Sequence, residues 1–278
     1  MSNKSIPQLL RQYDLKPQKG LGQNFLSDPA ALQKIINAAD IQLTDTVLEI
    51  GPGLGTLTKL LAQQAARVVA VELDKKLVAV LEEIFAEEPK IKLIQGDILE
   101  VNLNELFTEP GYLVVANIPY YITSALMRQL LEAEQAPKRI VLTIQKEVAE
   151  RICAGPGDFS LLALSVQVYG QPQITNHIPA KSFYPAPKVD SAVVRVDLYS
   201  EPLIPLQLLD DFFALTKAGF SQKRKTLQNS LSAGMRWDKQ KTGKLLESVG
   251  INPKRRAQTL SLQEWAQLVD ALEVPPLK

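Results

Sequence analysis

Val47-Leu48-Glu49-Ile50 is a short apolar run that breaks at Gly51-Pro52-Gly53-Leu54-Gly55, and Thr56 then opens a helical pattern through Leu57, Leu60 and Leu61. A strand, a glycine-rich turn and a helix N-terminus in that order form the nucleotide-cofactor cradle of doubly wound α/β sheets. Glycines there let the backbone approach a ligand where a side chain would collide with it. The spacing is G-x-G-x-G, not the G-x-G-x-x-G of pyrophosphate sites, which argues against a dinucleotide and hence against a dehydrogenase. Apolar strands and helical stretches continue to alternate as far as Ile144, with helices expected over 75–86, 123–133 and 146–152. That alternation predicts βαβ units and a parallel sheet.

The strand ends carry the chemistry. The run 67–71 ends in Glu72, placed to accept hydrogen bonds from ribose hydroxyls. The run 91–95 ends in Gly96-Asp97-Ile98, where a carboxylate can take an adenine amino group while Ile98 covers the ring face. The run 112–116 ends in Asn117-Ile118-Pro119-Tyr120. Either acid alone would read as a solvated strand end. Polar residues after successive strands instead mark the carboxyl edge, where open α/β sheets bind ligands.

Asn117 to Tyr120 suits one task, holding a flat, amino-bearing ring by its edge and its face. The Asn117 amide oxygen and the Ile118 carbonyl can accept from an exocyclic NH2. Pro119 fixes φ near −65° and lacks an N–H, which helps set the turn. Tyr120 can stack on a base, worth roughly 1–3 kcal/mol. An adenine amino group is a poor nucleophile because its lone pair is delocalised. Two acceptors on its hydrogens favour the localised, pyramidal state, which is transition-state stabilisation by preorganised dipoles.

This series resembles the S-adenosylmethionine-dependent methyltransferases, and more closely the family of ribosomal RNA adenine dimethyltransferases that modify small-subunit RNA. The likeness extends over nearly the whole chain. Gly22-Gln23-Asn24-Phe25-Leu26 resembles the family's N-terminal cofactor-closing segment, and Glu49 to Gly53 its cofactor loop. Asn117 to Tyr120 resembles its target-base motif. Phe183-Tyr184-Pro185 with Pro187-Lys188-Val189-Asp190-Ser191 resembles the segment flanking the target adenine from the other side. Phe220 to Asn229 (FSQKRKTLQN) resembles a basic segment of the C-terminal domain. The resemblance implies a Rossmann-like α/β fold with a seven-stranded sheet, S-adenosylmethionine as cofactor and two neighbouring adenosines as substrate. It further implies that Asn24 and Leu26 close over a cofactor held by Gly51, Gly53, Glu72, Asp97, Ile98 and Asn117. Tyr120 and Phe183 would sandwich the target ring. The long 183–191 pattern and the basic segment favour the small-subunit enzyme over a large-subunit methylase of the antibiotic-resistance type. A DNA adenine methylase would more often show Asp-Pro-Pro-Tyr or its Asn form. A role chiefly in ribosome assembly stays open beside catalysis.

The formal net charge of +1 conceals an asymmetry. Residues 1–150 hold 15 Lys+Arg against 19 Asp+Glu, whereas 151–278 hold 16 against 11. Lys217, Lys223, Arg224 and Lys225 form one basic cluster, and Lys254, Arg255 and Arg256 a second. Such clusters usually cover a solvated helix face. Beside a base-holding motif they predict phosphate contacts. Runs 161–169 and 192–199 read as two more strands around a Pro-rich loop, 178–188. Helices are expected over 206–218, 223–231, 241–248 and 262–272. The expected domains are therefore a catalytic one, 1–200, and a small helical RNA-binding one, 201–278.

No apolar run approaches the ~20 residues of a membrane span, and the opening residues lack the apolar core of a signal peptide. The lone cysteine, Cys153, excludes an internal disulfide and reads as a packing residue in a reducing compartment. The lone histidine, His177, leaves no metal cluster or Ser-His relay. The expectation is a monomeric cytoplasmic enzyme that needs no metal and acts on the RNA of the immature small subunit.

Overall fold

A computed structural model describes residues 5–273; residues 1–4 of the expected catalytic domain, which opens with a cofactor-closing segment over 1–26, and 274–278 of the expected RNA-binding domain lie outside them. Among the described residues nine strands run in chain order: β1 (Phe25–Leu26), β2 (Thr46–Ile50), β3 (Arg67–Glu72), β4 (Ile91–Gln95), β5 (Leu113–Asn117), β6 (Arg139–Gln145), β7 (Gly170–Ile178), β8 (Phe183–Tyr184) and β9 (Ser191–Leu198). Seven form one sheet in the order β4-β3-β2-β5-β6-β9-β7, and β1 pairs with β8 as a separate two-stranded ribbon. β2, β3, β4, β5 and β6 are parallel, and β9 is antiparallel to β6. This is the Rossmann-like, seven-stranded α/β arrangement that the sequence implied.

The parallel strands are apolar on both faces because helices cover both. Val47, Val68, Leu113, Val115 and Val141 pack with Leu32, Ile35 and Ile36 of helix Pro29–Ala39 and Leu57 and Leu61 of helix Thr56–Gln64. Helix Pro29–Ala39 starts where it does because Pro29 tolerates the first turn and the Asp28 side chain accepts from the Ala30 N–H. The other Asp28 oxygen accepts from Ser182 Oγ at 2.9 Å, tying that helix to the residue before β8.

Strand order reverses at β2. From it the chain builds outward through β3 and β4 on one side and through β5 and β6 on the other. A crevice must open at the carboxyl ends flanking such a switch point, and Gly51, Glu72, Asp97 and Asn117 all stand there.

One expected strand is a helix. The run 161–169 reads as extended, but Leu161–Gln167 is helical, with Ser160 accepting from the Ala163 N–H as its N-cap. A short apolar run is equally compatible with a buried helix, and the capping serine decides between them. The last pair of sheet strands is accordingly 170–178 and 191–198.

The chain packs as two compact units. One contains residues up to Ala149 together with Pro172–Leu198; the other contains Glu150–Gln171 with Tyr199 onward. The second unit is built on helices Leu161–Gln167, Leu209–Phe220, Leu227–Met235, Lys239–Ser248 and Leu262–Glu273. Its helices approach closely at Gly219, where an added Cβ would lie 2.6 Å from the Trp265 ring. No helix among the described residues is long and apolar enough to cross a membrane.

Candidate functional site

The cleft at the switch point is lined by all of the expected cofactor residues, Asn24, Leu26, Gly51, Gly53, Glu72, Asp97, Ile98 and Asn117, and by Tyr120. Its floor is the glycine turn. Gly51 has φ +67°, and an added Cβ there would meet no protein atom within 4 Å, so the backbone faces open cleft. Gly53 (φ +61°) is glycine for another reason, since its Cβ would press on the Phe25 ring at 3.0 Å. Phe25 in turn belongs to a small cluster with Ile6, Leu10, Leu54 and Leu77 that holds the N-terminal segment down.

Two acids sit deep in this cleft. Glu72 receives the Gly53 N–H at 3.1 Å on Oε2 and the Asp74 N–H at 2.9 Å on Oε1. Each carboxylate oxygen keeps a further acceptor site. Burial pushes its carboxyl up, against the pull of those backbone N–H groups. Glu49 is more extreme, 1% exposed, with an Oε2 that has no hydrogen-bond partner. Burial pushes its carboxyl up to about 8. The Thr58 hydroxyl, close by but outside full hydrogen-bonding geometry, pulls the other way, and the like charge of Glu72 reinforces the rise. In the sequence Glu49 belongs to the cofactor-loop motif without a role of its own; nothing local distinguishes it from a strand residue.

Asp97 uses Oδ1 to accept the Leu99 N–H at 3.0 Å, which fixes its carboxylate at the cleft edge. Ile98 is buried beside it, its carbonyl accepting from Gln129 Nε2 at 2.9 Å. The N-terminal segment is pinned by Asp74, whose Oδ2 accepts from Gln18 Nε2 at 2.7 Å and Gln23 Nε2 at 3.0 Å. Asp74 also caps helix Lys75–Ile84, the only signal the sequence carried for it.

The Asn117 amide is oriented. Its Nδ2 donates to the Asn24 carbonyl at 3.1 Å, and among the described residues no donor reaches its Oδ1. Donation by the nitrogen leaves the oxygen as the acceptor available to the cleft. Tyr120 follows in a short 3-10 turn, its hydroxyl 2.7 Å from Ser191 Oγ.

Phe183 does not join this group. It is 4% exposed, pairs with Leu26 across the ribbon and packs into the core with Ile178 and Val193. Side chains alternate along a strand, so Phe183 points inward and Tyr184 outward. Of the expected Tyr120–Phe183 pair, only Tyr120 lines the cleft. The aromatic residues lining the cleft are the buried Phe25, Tyr120 and the more exposed Tyr121.

Within the helical unit, all of these basic residues except Lys217 lie on turns. The helix expected from 223 begins only at Leu227, because the Thr226 side chain caps it by accepting from the Asn229 N–H. Lys223, Arg224 and Lys225 are left exposed on the preceding turn. Lys254 and Arg256 are exposed on a second turn, begun by Asn252. Backbone bonds from Leu227 N to Arg255 O at 2.7 Å and from Gln228 N to Pro253 O at 3.3 Å lay the two turns side by side. Lys217 is exposed in the last turn of helix Leu209–Phe220. Arg255 is not a free cation. Its guanidinium pairs with Glu264 through Nη1 and Nη2 and reaches Thr259 through Nε and Nη2. It is a clamp between a turn and a helix.

The profile of the family "Ribosomal RNA adenine dimethylase" matches residues 15–273. The chain belongs to that family. Ribosomal RNA small subunit methyltransferase A of Dehalococcoides mccartyi (strain ATCC BAA-2266 / KCTC 15142 / 195) is 47% identical over 262 residues, covering 94% of this chain and 90% of the relative. The protein of the same name from Clostridium botulinum is 41% identical over 268 residues, covering 95% and 97%. Among solved structures, a dimethyladenosine transferase from Plasmodium falciparum superimposes with a TM-score of 0.75 at 28% identity, covering 88% of this chain and 95% of that one. The 23S rRNA methyltransferase ErmE gives 0.73 at 27% identity, covering 90% and 100%. The fold is thus shared with a 23S rRNA methyltransferase and a dimethyladenosine transferase, whereas the higher sequence identities are to small-subunit methyltransferases.

Membership makes the chain an S-adenosylmethionine-dependent RNA adenine methyltransferase. The cleft suits that donor. Gly51 leaves room where a side chain would intrude, and the unpartnered Glu49 Oε2 offers a buried acceptor to a cationic ligand. Among the described residues no cluster of His, Cys, Asp or Glu could hold a metal ion.

Proposed function

We propose that this enzyme dimethylates N6 of two neighbouring adenosines in small-subunit ribosomal RNA. The single observation that carries the assignment of the reacting site is Asn117, with Nδ2 committed to the Asn24 carbonyl and Oδ1 left for the cleft. S-adenosylmethionine, when bound, supplies a sulfonium methyl for in-line displacement by the adenine nitrogen. Gly51 and Gly53 give that donor backbone to lie against. Glu72 takes the ribose hydroxyls, Asp97 the adenine amino group and Ile98 the adenine face, while Asn24 and Leu26 cover it from the N-terminal segment.

Asn117 Oδ1 and the Ile118 carbonyl accept the target N6 hydrogens and draw the lone pair out of conjugation, and Tyr120 supports the ring. The target must be unpaired or extruded, because N6 is unreachable within a stack. Proximity and orientation carry the catalysis, so no strong general base is required. The exposed cations Lys217, Lys223, Arg224, Lys225, Lys254 and Arg256 take RNA phosphates. The RNA is presented in an immature small subunit in the cytoplasm, and the enzyme works as a monomer. Labelled methyl donor and undermethylated small subunits, followed by mapping of the modified nucleotides, test this reading. Label on two neighbouring adenosines of small-subunit RNA is expected; label only on large-subunit RNA would select the antibiotic-resistance class instead.

A further inference from the structure

Ser191 is wholly buried at the start of β9, where the register places it opposite Gln145 at the carboxyl end of β6. The residue before it is tied down twice. The Asp190 carbonyl accepts from Lys146 N at 3.0 Å, and its Oδ1 accepts from Ala180 N at 2.9 Å. A side chain so placed has little freedom. Its hydroxyl stands 2.7 Å from the Tyr120 hydroxyl, across seventy-one residues of sequence.

Tyr120 otherwise belongs to a short turn with one side in the cleft. The Thr123 hydroxyl donates to the Tyr120 carbonyl at 3.0 Å and fixes the backbone there. Backbone anchoring leaves a tyrosine ring free to turn about its two side-chain torsions. The bond at its far end removes that freedom, whichever hydroxyl donates.

We infer that Ser191 is a positioning residue for methyl transfer, holding the Tyr120 ring in the plane against which the target adenine stacks. The inference rests on the target-base reading of Asn117 to Tyr120. Ser191 touches neither donor nor base and acts only through Tyr120.

Three variants test it: Ser191→Ala, Tyr120→Phe and the double variant, each assayed for single-turnover methylation, donor affinity and melting temperature. Tyr120→Phe keeps the ring and removes the same bond from a partly exposed position, so it stands in should Ser191→Ala fold poorly. Each single variant is expected to lose about 3- to 10-fold in the transfer rate, the scale of one net hydrogen bond. Donor affinity should not change, and the double variant should be no slower than the slower single one. Full activity in Tyr120→Phe overturns the inference, as do multiplying losses in the double variant. Losses that track melting temperature or donor affinity overturn it too. Wild-type protein in the same assay separates the two ideas: inactivity on adenosine sinks the target-base reading, whereas an active wild type with indifferent variants sinks only the role of Ser191.

Discussion

The cleft at the sheet edge and the basic turns of the helical unit handle polarity in opposite ways. In the cleft a few groups, Glu49, Glu72, Asp97 and Asn117, are buried or half-buried, and three of them are aimed by backbone partners. On the turns, Lys223, Arg224, Lys225, Lys254 and Arg256 are exposed on flexible stems. The difference fits what each is proposed to recognise. A methyl transfer depends on ångström placement, which buried and directional hydrogen bonds supply. A phosphate backbone offers charge everywhere, so screened, loosely oriented cations suffice without any contact to the bases. Arg255 marks the border between the two styles, being a cation from a basic cluster spent on internal structure.

The contrast breaks most sharply at Asn117. Asn117→Ala should lower the transfer rate by about 10²–10³-fold, the scale of removing one preorganised group from a reacting centre, while RNA retention stays near wild type. Equal losses of rate and retention would make Asn117 a structural residue and erase the distinction.

Next comes the basic surface. Replacing Lys223, Arg224 and Lys225 together by Gln should flatten the log–log salt dependence of RNA binding by about 0.7 for each phosphate no longer neutralised, with donor affinity untouched. Arg255→Ala should behave otherwise, leaving the salt slope alone and lowering stability by about 1–2 kcal/mol, since it strands Glu264 and Thr259. Filter binding over a salt series, with thermal melts, checks both. A reduced slope in Arg255→Ala would return that residue to the RNA surface.

A further test sharpens the comparison through pH. Folded Glu49 keeps its proton up to about 8, against an ordinary value of 4.5, so the native state binds an extra proton between those limits. The stability tied to this group is complete below about pH 4.5 and is lost as pH rises through about 8. Donor-free melting temperature should therefore slope downward over that range, and Glu49→Gln should flatten it. A wild-type slope surviving in Glu49→Gln would place the titration elsewhere.

Much of the cleft was legible because its parts are local. A strand, a glycine turn and a polar residue at the next strand end are each spelled by adjacent residues, and alternation fixes the sheet that aligns them. Glu72, Asp97 and Asn117 needed no long-range contact to be found. The apolar run 161–169 misled because buried strands and buried helices share a composition, and only the cap at Ser160 separates them. The motif names Phe183 but not the face of the ribbon it occupies, which the structure makes the buried one.

The sequence by itself determined the class of fold, the order of the cofactor-binding edge and the chemistry available there, since these depend on local period and turn residues. Tertiary structure alone decided which way Asn117 points, that Glu49 is a buried acid whose carboxyl burial pushes up, that Ser191 meets Tyr120, and that two basic turns separate in the chain lie side by side while Arg255 is paired within the unit. Each of those outcomes hangs on a bond or a burial between distant segments, and neither distance nor desolvation is written in any one stretch of chain.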